Sequence, residues 1–185
     1  MEVPHKMKKD LKKYCDHALA GGATSVKSIQ PSSVVTAPWV KWKCQFGCGG
    51  YDSNYCCPPH TPTHEETRKV LDSYHRALLL HIRTKCNPGR ERLLRKYRHG
   101  LVDLEGQMFR DGYYRAFVFL AGPCDVCSQC GSVTGEACNH RHKARPSMEA
   151  CGIDVFQTAR NNGFHIETLT DETEPRNTFC LMLVD

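Results

Sequence analysis

The chain of 185 residues lacks any apolar run approaching the ~18 residues of a membrane-spanning helix. Its longest apolar stretches, ALLLHI and AFVFLAG, suit buried strands instead. The first residues, MEVPHKMKKDLKKYC, carry charge without an apolar core, so they do not read as a secretory signal. No G-x-S-x-G, Walker or G-x-G-x-x-G segment occurs, which removes support for serine hydrolysis and for nucleotide binding on a phosphate loop. No RNA- or DNA-binding motif accompanies the formal charge of +5, so neither nucleic acid nor a membrane is an expected partner. Disorder is not expected either, because 40% hydrophobic and 24% charged residues are ordinary globular values.

Cysteine is what the chain has in excess. Eight of its twelve cysteines fall in two clusters. Cys44, Cys48, Cys56 and Cys57 lie within KCQFGCGGYDSNYCCPP; Cys124, Cys127, Cys130 and Cys138 lie within GPCDVCSQCGSVTGEACNH. A chain without an export signal is expected in a reducing cytoplasm, where crowded thiols point to metal or redox chemistry. A disulfide scaffold is the alternative, but the vicinal Cys56-Cys57 pair and a C-x2-C-x2-C run are poor geometry for ordinary bridges.

The second cluster has the clearer spacing. Cys124, Cys127 and Cys130 follow C-x2-C-x2-C, with Cys138 eight residues on. One turning loop then offers three thiolates to three corners of an iron–sulfur cube while its amides donate to the sulfurs. Bacterial ferredoxins begin alike, but their fourth cysteine follows three residues later and precedes proline, whereas Cys138 precedes Asn139. Zinc is the alternative metal, supported by His140 and His142 nearby.

In the first cluster Cys44 and Cys48 are spaced C-x3-C, and Cys57 precedes Pro58-Pro59, which turns the chain away. Neighbouring side chains diverge, so of Cys56 and Cys57 only one suits a shared metal, and Cys57 is chosen. Three thiolates leave one iron of a cube open to water, substrate or another ligand. Cys151, Cys56, Cys86, His60 and His64 are the candidates to close it. Two cubes of about −2 each would lower the net charge to about +1. Lys41, Lys43, Arg141, Lys143 and Arg145, beside the cysteines, are placed either to offset that charge or to form a solvated basic face.

Arg145 and Glu149, four apart, are the candidate catalytic residues: a structural ion pair on one reading, anion binding and proton transfer beside an open iron on the other. Trp39, Trp42, Tyr113 and Tyr114 are expected to cover the clusters from solvent. Isolated Cys15, Cys86 and Cys180 read as packing residues.

The segments KCQFGCGGYDSNYCCPPHTPTHEET and AGPCDVCSQCGSVTGEACNHRHKARPSMEACGIDV resemble the signatures of a family of small predicted metal-binding proteins of anaerobic bacteria and archaea. The resemblance runs from about Trp39 to Leu183 and implies cysteine-bound metal and an anaerobic host without naming a reaction. The family pattern corresponds to Cys44, Cys48, Cys57, Cys124, Cys127, Cys130 and Cys138, and its RPSMEA signature falls on Arg145, Pro146, Ser147 and Glu149. The chain departs from it at 52–56, where a Gly-Lys pair is expected after the tyrosine.

Periodicity predicts helices at 3–20, from Thr63 (which with Glu66 forms a capping box), at about 89–110 and at 154–162, with a helical turn at 147–150. Strands are expected at 25–30, 77–82, 113–122, 164–169 and 178–184. The expected fold is a mixed α/β single domain over 1–185: a mixed sheet of about five strands, helices packed on it, and cysteine loops at about 39–62 and 122–151.

The expected function is an iron–sulfur protein holding two [4Fe-4S] clusters, with Cys44, Cys48, Cys57, Cys124, Cys127, Cys130, Cys138 and Cys151 as metal ligands. With an open iron it would be a reductase or a sulfur-transfer or desulfurase enzyme acting on a small molecule. Closed, it would carry electrons to a ferredoxin-like partner. A zinc-stabilised interaction module is the third possibility.

Overall fold

The computed structural model describes residues 11–185. Helix α1 is Lys12–Ala20, and the earlier part of the helix expected over 3–20 lies outside the described residues. Four strands follow in the order β1 (Ser25–Ile29), β2 (Ala77–Thr84), β3 (Phe117–Phe119) and β4 (Arg176–Leu183). Among them run α2 (Pro38–Gly47), α3 (His64–Asp72), α4 (Arg90–Arg110) and α5 (Val155–Asn161).

The strands form one sheet in the order β1-β2-β4-β3, and every pair is antiparallel. The α/β class is as expected, but the sheet has four strands and is not mixed. The missing strand is 164–169. Ile166 is buried there, yet its carbonyl accepts from the Arg160 guanidinium (3.2 and 3.0 Å) in place of a ladder. The strand expected over 113–122 contracts to Phe117–Phe119, followed by an isolated parallel bridge from Leu120 to Ser147.

Both faces of the sheet are covered, which explains the continuous apolar run in β2. Leu78, Leu80 and Ile82 face one way with Cys180 and Met182 of β4, beneath Tyr14 and Ala18 of α1 and Leu94, Leu101 and Met108 of α4. Ala77 and Leu79 face the other way with Phe179 and Leu181, against Leu71 of α3, Ala159 of α5, and Met148, Cys151 and Ile153. Alternation with period two places successive residues on opposite faces, and each fully buried aliphatic side chain contributes about 1.5–3 kcal/mol. Helix α3 starts as expected: Thr63 Oγ1 accepts from the Glu66 amide (3.2 Å), and the Glu66 carboxylate accepts from the Thr63 amide (2.7 Å).

Helix α2 stands where a loop is expected. Pro38 occupies its first turn, where a missing N–H costs nothing. Cys44 therefore projects from a helix.

Candidate metal centre

Helix α2 is held to the segment after the second cysteine loop. Thr36 bridges Ile153, the Ala37 amide donates to Gly152 O (2.9 Å), and the Asp154 amide donates to Val35 O (2.8 Å). Lys41 Nζ donates to Thr61 O (2.9 Å), and Thr61 Oγ1 donates to Ala150 O (2.5 Å). Cys44, the end of the first loop and the 3-10 turn Glu149–Cys151 thus share one scaffold.

Beyond α2 the first loop closes on itself. The Asp52 amide donates to Pro58 O (2.8 Å), and the Gly50 amide donates to Cys48 Sγ (3.4 Å). Asn54 organises the vicinal cysteines: its Oδ1 accepts from the Cys56 amide (2.9 Å), and its Nδ2 donates to Cys57 Sγ (3.2 Å). Asn54 is itself buried. Its role was not read from the sequence, although an Asn two residues before an amide is the signal of an Asx turn. Donors aimed at sulfur hold a thiolate in place and tune any metal bound to it.

The second loop is anchored on α4. Asp125 pairs with Arg98, whose Nε donates at 3.1 Å, and His99 Nε2 lies 3.1 Å from the same carboxylate. Burial pushes Asp125 up, but Arg98 and His99 outweigh it and hold the carboxyl below its ordinary range. Gly131 turns so tightly that a Cβ there would lie 2.6 Å from Glu136 O. The loop forms a half-open cavity of about 170 Å3 whose walls include Cys127, Cys130, Cys138 and His140.

The two cysteine loops meet. Tyr55 Oη donates to Glu136 O (2.8 Å), and the Tyr55 backbone lies close enough to the Cys130 sulfur to favour its thiolate. The Cys56 and Cys124 thiols lie close enough to act on each other. A methyl group built on Gly50 would lie 3.5 Å from Cys48 Sγ, 3.8 Å from Cys57 Sγ and 3.8 Å from Pro123 Cβ, so the second loop sits against the first-loop sulfurs.

Thiol acidities reflect this crowding. Cys124 is drawn down to about 6, chiefly by the Cys56 thiol, which rises correspondingly. Burial and then neighbouring thiols push Cys44 and Cys127 up; Cys57 is raised by burial and by Cys48, Cys124 and Cys130, against the donor from Asn54. Burial also raises Cys130, but Ser132 and the Tyr55 backbone outweigh it and bring the thiol below its ordinary value. Thiols that raise one another's pKa lose protons together once a cation arrives. Among the described residues, no three Cys, His, Asp or Glu side chains converge closely enough to enclose a single ion.

The expected closing ligands lie in different surroundings. Cys151 is 0% exposed within the sheet-facing core, and burial raises its thiol to about 12. The charged groups acting on it are Lys41 and Glu149. His60 Nε2 lies 3.0 Å from Asp52 Oδ1, and His64 Nδ1 lies 2.9 Å from Glu65 Oε2. Cys86 is exposed and does not pack, while Cys180 is buried in β4 as expected.

The catalytic candidates separate. Arg145 does not pair with Glu149; it makes a two-pronged pair with Glu105 of α4, its Nε at 2.9 Å from Oε2 and its Nη2 at 2.5 Å from Oε1. Glu105 Oε2 also accepts from the Val118 amide (2.8 Å). The sequence spacing of four was misleading because a longer-range carboxylate on α4 is better placed. Glu149 instead lies near Cys44, close enough to act on its thiol. Burial raises its carboxyl, and its enclosed Oε2 accepts no hydrogen bond among the described residues.

Of the aromatic residues expected to shield the cysteines, Trp42 is 64% and Trp39 43% exposed on α2, as is the neighbouring Phe46. Tyr113 and Tyr114 line a separate cavity of about 330 Å3 with Lys13, Asp111 and Asp185.

Residues 27–184 match the model of a family described as predicted metal-binding protein (DUF2284). The chain belongs to this family. Membership makes it a predicted metal-binding protein, and both cysteine loops fall inside the matched span. No curated protein and no solved structure matches the chain. Among the described residues no helix is long and apolar enough to cross a membrane.

Exposure and acidity together predict thiol reactivity for this family member. In the metal-free protein, iodoacetamide at about pH 8 is expected to label the exposed Cys48 and Cys86 readily and the exposed Cys127 more slowly, because its thiol is pushed up. Cys151 and Cys180 should stay unlabelled until urea opens the fold, because a thiol of pKa about 12 is thiolate in only about one molecule in ten thousand at that pH. Mass mapping of Cys151 adducts in the folded protein would contradict this assignment of its burial.

Proposed function

We propose that this protein holds two [4Fe-4S] clusters, one at each cysteine loop, and passes single electrons between them and a partner. The observation that carries the reading is the docking of the two loops through Tyr55, Cys56 and Gly50, which makes their eight thiols one neighbourhood. The residues fit such clusters: C-x2-C-x2-C spacing, three cysteines around a cavity of about 170 Å3, and N–H donors on Cys48 and Cys57. Two adjacent clusters favour relay, since electrons need only a short step between them. Exposed Lys43, Arg141 and Lys143 offer a basic rim for an acidic, ferredoxin-like partner. Such clusters suit a reducing cytoplasm and an anaerobic host.

A second reading rests on Glu149. Its enclosed carboxylate oxygen, without a hydrogen-bond partner among the described residues and within electrostatic reach of Cys44, suits an open iron that handles a small molecule in reduction or sulfur transfer, with Glu149 holding the proton. Here Arg145 serves as a positioning residue through Glu105.

Anaerobic reconstitution is expected to give a brown protein with about eight irons and eight sulfides per chain. Its reduced electron paramagnetic resonance spectrum should be broadened by coupling between the two clusters. A colourless protein that takes zinc at the same cysteines would overturn the iron–sulfur reading in favour of an interaction module. A spectrum perturbed by cyanide or hydrosulfide would move the assignment to the open-iron enzyme.

A further inference from the structure

The turn over 54–57 uses more of Asn54 than a turn requires. The Cys57 amide donates to Asn54 O (3.0 Å), and Asn54 Oδ1 accepts from the Cys56 amide (2.9 Å); together these make the turn. Aspartate or serine at 54 would also serve it, since each offers a side-chain oxygen. Neither offers a side-chain N–H. Asn54 Nδ2 donates to Cys57 Sγ at 3.2 Å, a bond that the turn itself does not need.

The direction of that amide is fixed from both ends. Its Nδ2 also donates to Ser53 Oγ (3.3 Å), and the Ser53 hydroxyl donates in turn to Gly50 O (2.8 Å), leaving its lone pairs free to accept. Exchanging Oδ1 and Nδ2 would set a donor against the Cys56 amide and turn an oxygen toward Cys57 Sγ, so one orientation alone satisfies every partner. The Gly50 amide donates to a second sulfur, Cys48 Sγ (3.4 Å). A Cβ built on Gly50 would lie 3.5 Å from Cys48 Sγ and 3.8 Å from Cys57 Sγ, so both sulfurs flank this glycine. Asn54 and Cys57 are 6% and 8% exposed. A hydrogen bond shut away from water in this manner is electrostatically stronger than one at the surface.

We infer that Asn54 is a positioning residue whose N–H holds the Cys57 thiolate as a ligand and raises the reduction potential of the first-loop cluster. The inference rests on the two-cluster reading above and deepens it by naming a residue that regulates one of the two centres. Reduction adds an electron whose charge the ligand sulfurs share. An N–H aimed at one of them stabilises the reduced, more negative cluster.

The test is a pair of substitutions in the full chain, Asn54→Ser and Asn54→Asp, reconstituted anaerobically. Iron content and a potentiometric titration followed by electron paramagnetic resonance are the readouts. Both variants keep an oxygen for the Cys56 amide, and both are expected to hold about eight irons. Serine removes the donor alone, whereas aspartate removes it and adds a negative charge. At a fixed potential, the ratio of oxidised to reduced first-loop cluster is expected to rise about tenfold in Asn54→Ser, a shift of about 59 mV. The rise should be larger in Asn54→Asp, and the other cluster should keep its wild-type midpoint. Cys48→Ser, which puts oxygen for sulfur on the first loop, assigns the signals: the cluster whose g-values it shifts must be the one that both Asn54 variants move.

Full iron content with both midpoints unchanged in Asn54→Ser and Asn54→Asp would overturn the inference. So would equal shifts of the two clusters, or a shift confined to the cluster that Cys48→Ser leaves alone. A first-loop cluster lost from both variants would overturn it too, since Asn54 would then serve assembly and not potential. Each of those results leaves the two-cluster reading standing. A wild-type protein free of iron and sulfide would instead overturn that reading, and this inference with it.

Discussion

Glu105→Ala is expected to lower the free energy of unfolding by about 3–5 kcal/mol, the cost of leaving a buried charge without its partner. Glu105 and Arg145 are 9% and 15% exposed at their side chains, and among the described residues no other carboxylate reaches the guanidinium. The same carboxylate accepts from the Val118 amide in an edge strand that joins the sheet through only three residues. Its loss therefore strands a cation and a buried donor together. Urea denaturation of the reduced, metal-free protein would measure the effect. The double variant Glu105→Ala/Arg145→Ala should recover part of the loss, because the orphaned charge is gone. A single-variant loss below about 1 kcal/mol would show the pair to be solvated. Arg145 also holds the Arg141 and Ala144 carbonyls, so weaker metal retention by the second loop should accompany the loss of stability.

Gly152→Ala is expected to cost about 2–5 kcal/mol, combining a left-handed backbone with overpacking. Gly152 has φ +76, and a Cβ there would lie 2.7 Å from His64 Cβ and 3.0 Å from its Cα. The clash is with the first residue of α3, which is held by the Thr63 capping box, so the backbone has little room to yield. Gly152 O also accepts the Ala37 amide at the entrance to α2. A shift at Gly152 therefore reaches Cys44 from one side and the end of the first loop from the other. The expected outcome is a fall in melting temperature together with reduced metal uptake at the first loop, measured by calorimetry and metal titration. A variant of unchanged stability would mean that α3 and the 150–153 turn separate easily.

Much of the fold was legible where local signals and packing agree. The Thr63–Glu66 box starts α3 with both its hydrogen bonds, and α4 begins within a residue of the expected start at 89. The apolar run of β2 required cover on both faces and has it. Helix α2 was missed because its cysteines and glycines drew the eye to a loop, although Pro38 marks a helix start. The strand expected at 164–169 failed for a different reason: an apolar pattern makes a strand only if a neighbouring edge is free to pair, and here an arginine took the carbonyl.

At the site, the sequence by itself determined which residue types are present and how each loop spaces its thiols, because ligand spacing is a short-range property of the backbone. It therefore pointed to metal binding, which family membership bears out. It could not determine that Arg145 answers Glu105 across 40 residues, that Glu149 is left with an enclosed oxygen lacking a hydrogen-bond partner among the described residues, or that Cys151 belongs to the core. Nor could it place Tyr55 on Glu136, since that contact joins residues brought together by α4 and the sheet between them. Such pairings depend on the packing of distant elements, and spacing along a chain carries no information about which loops will face each other. Tertiary structure alone decided that the two cysteine loops meet.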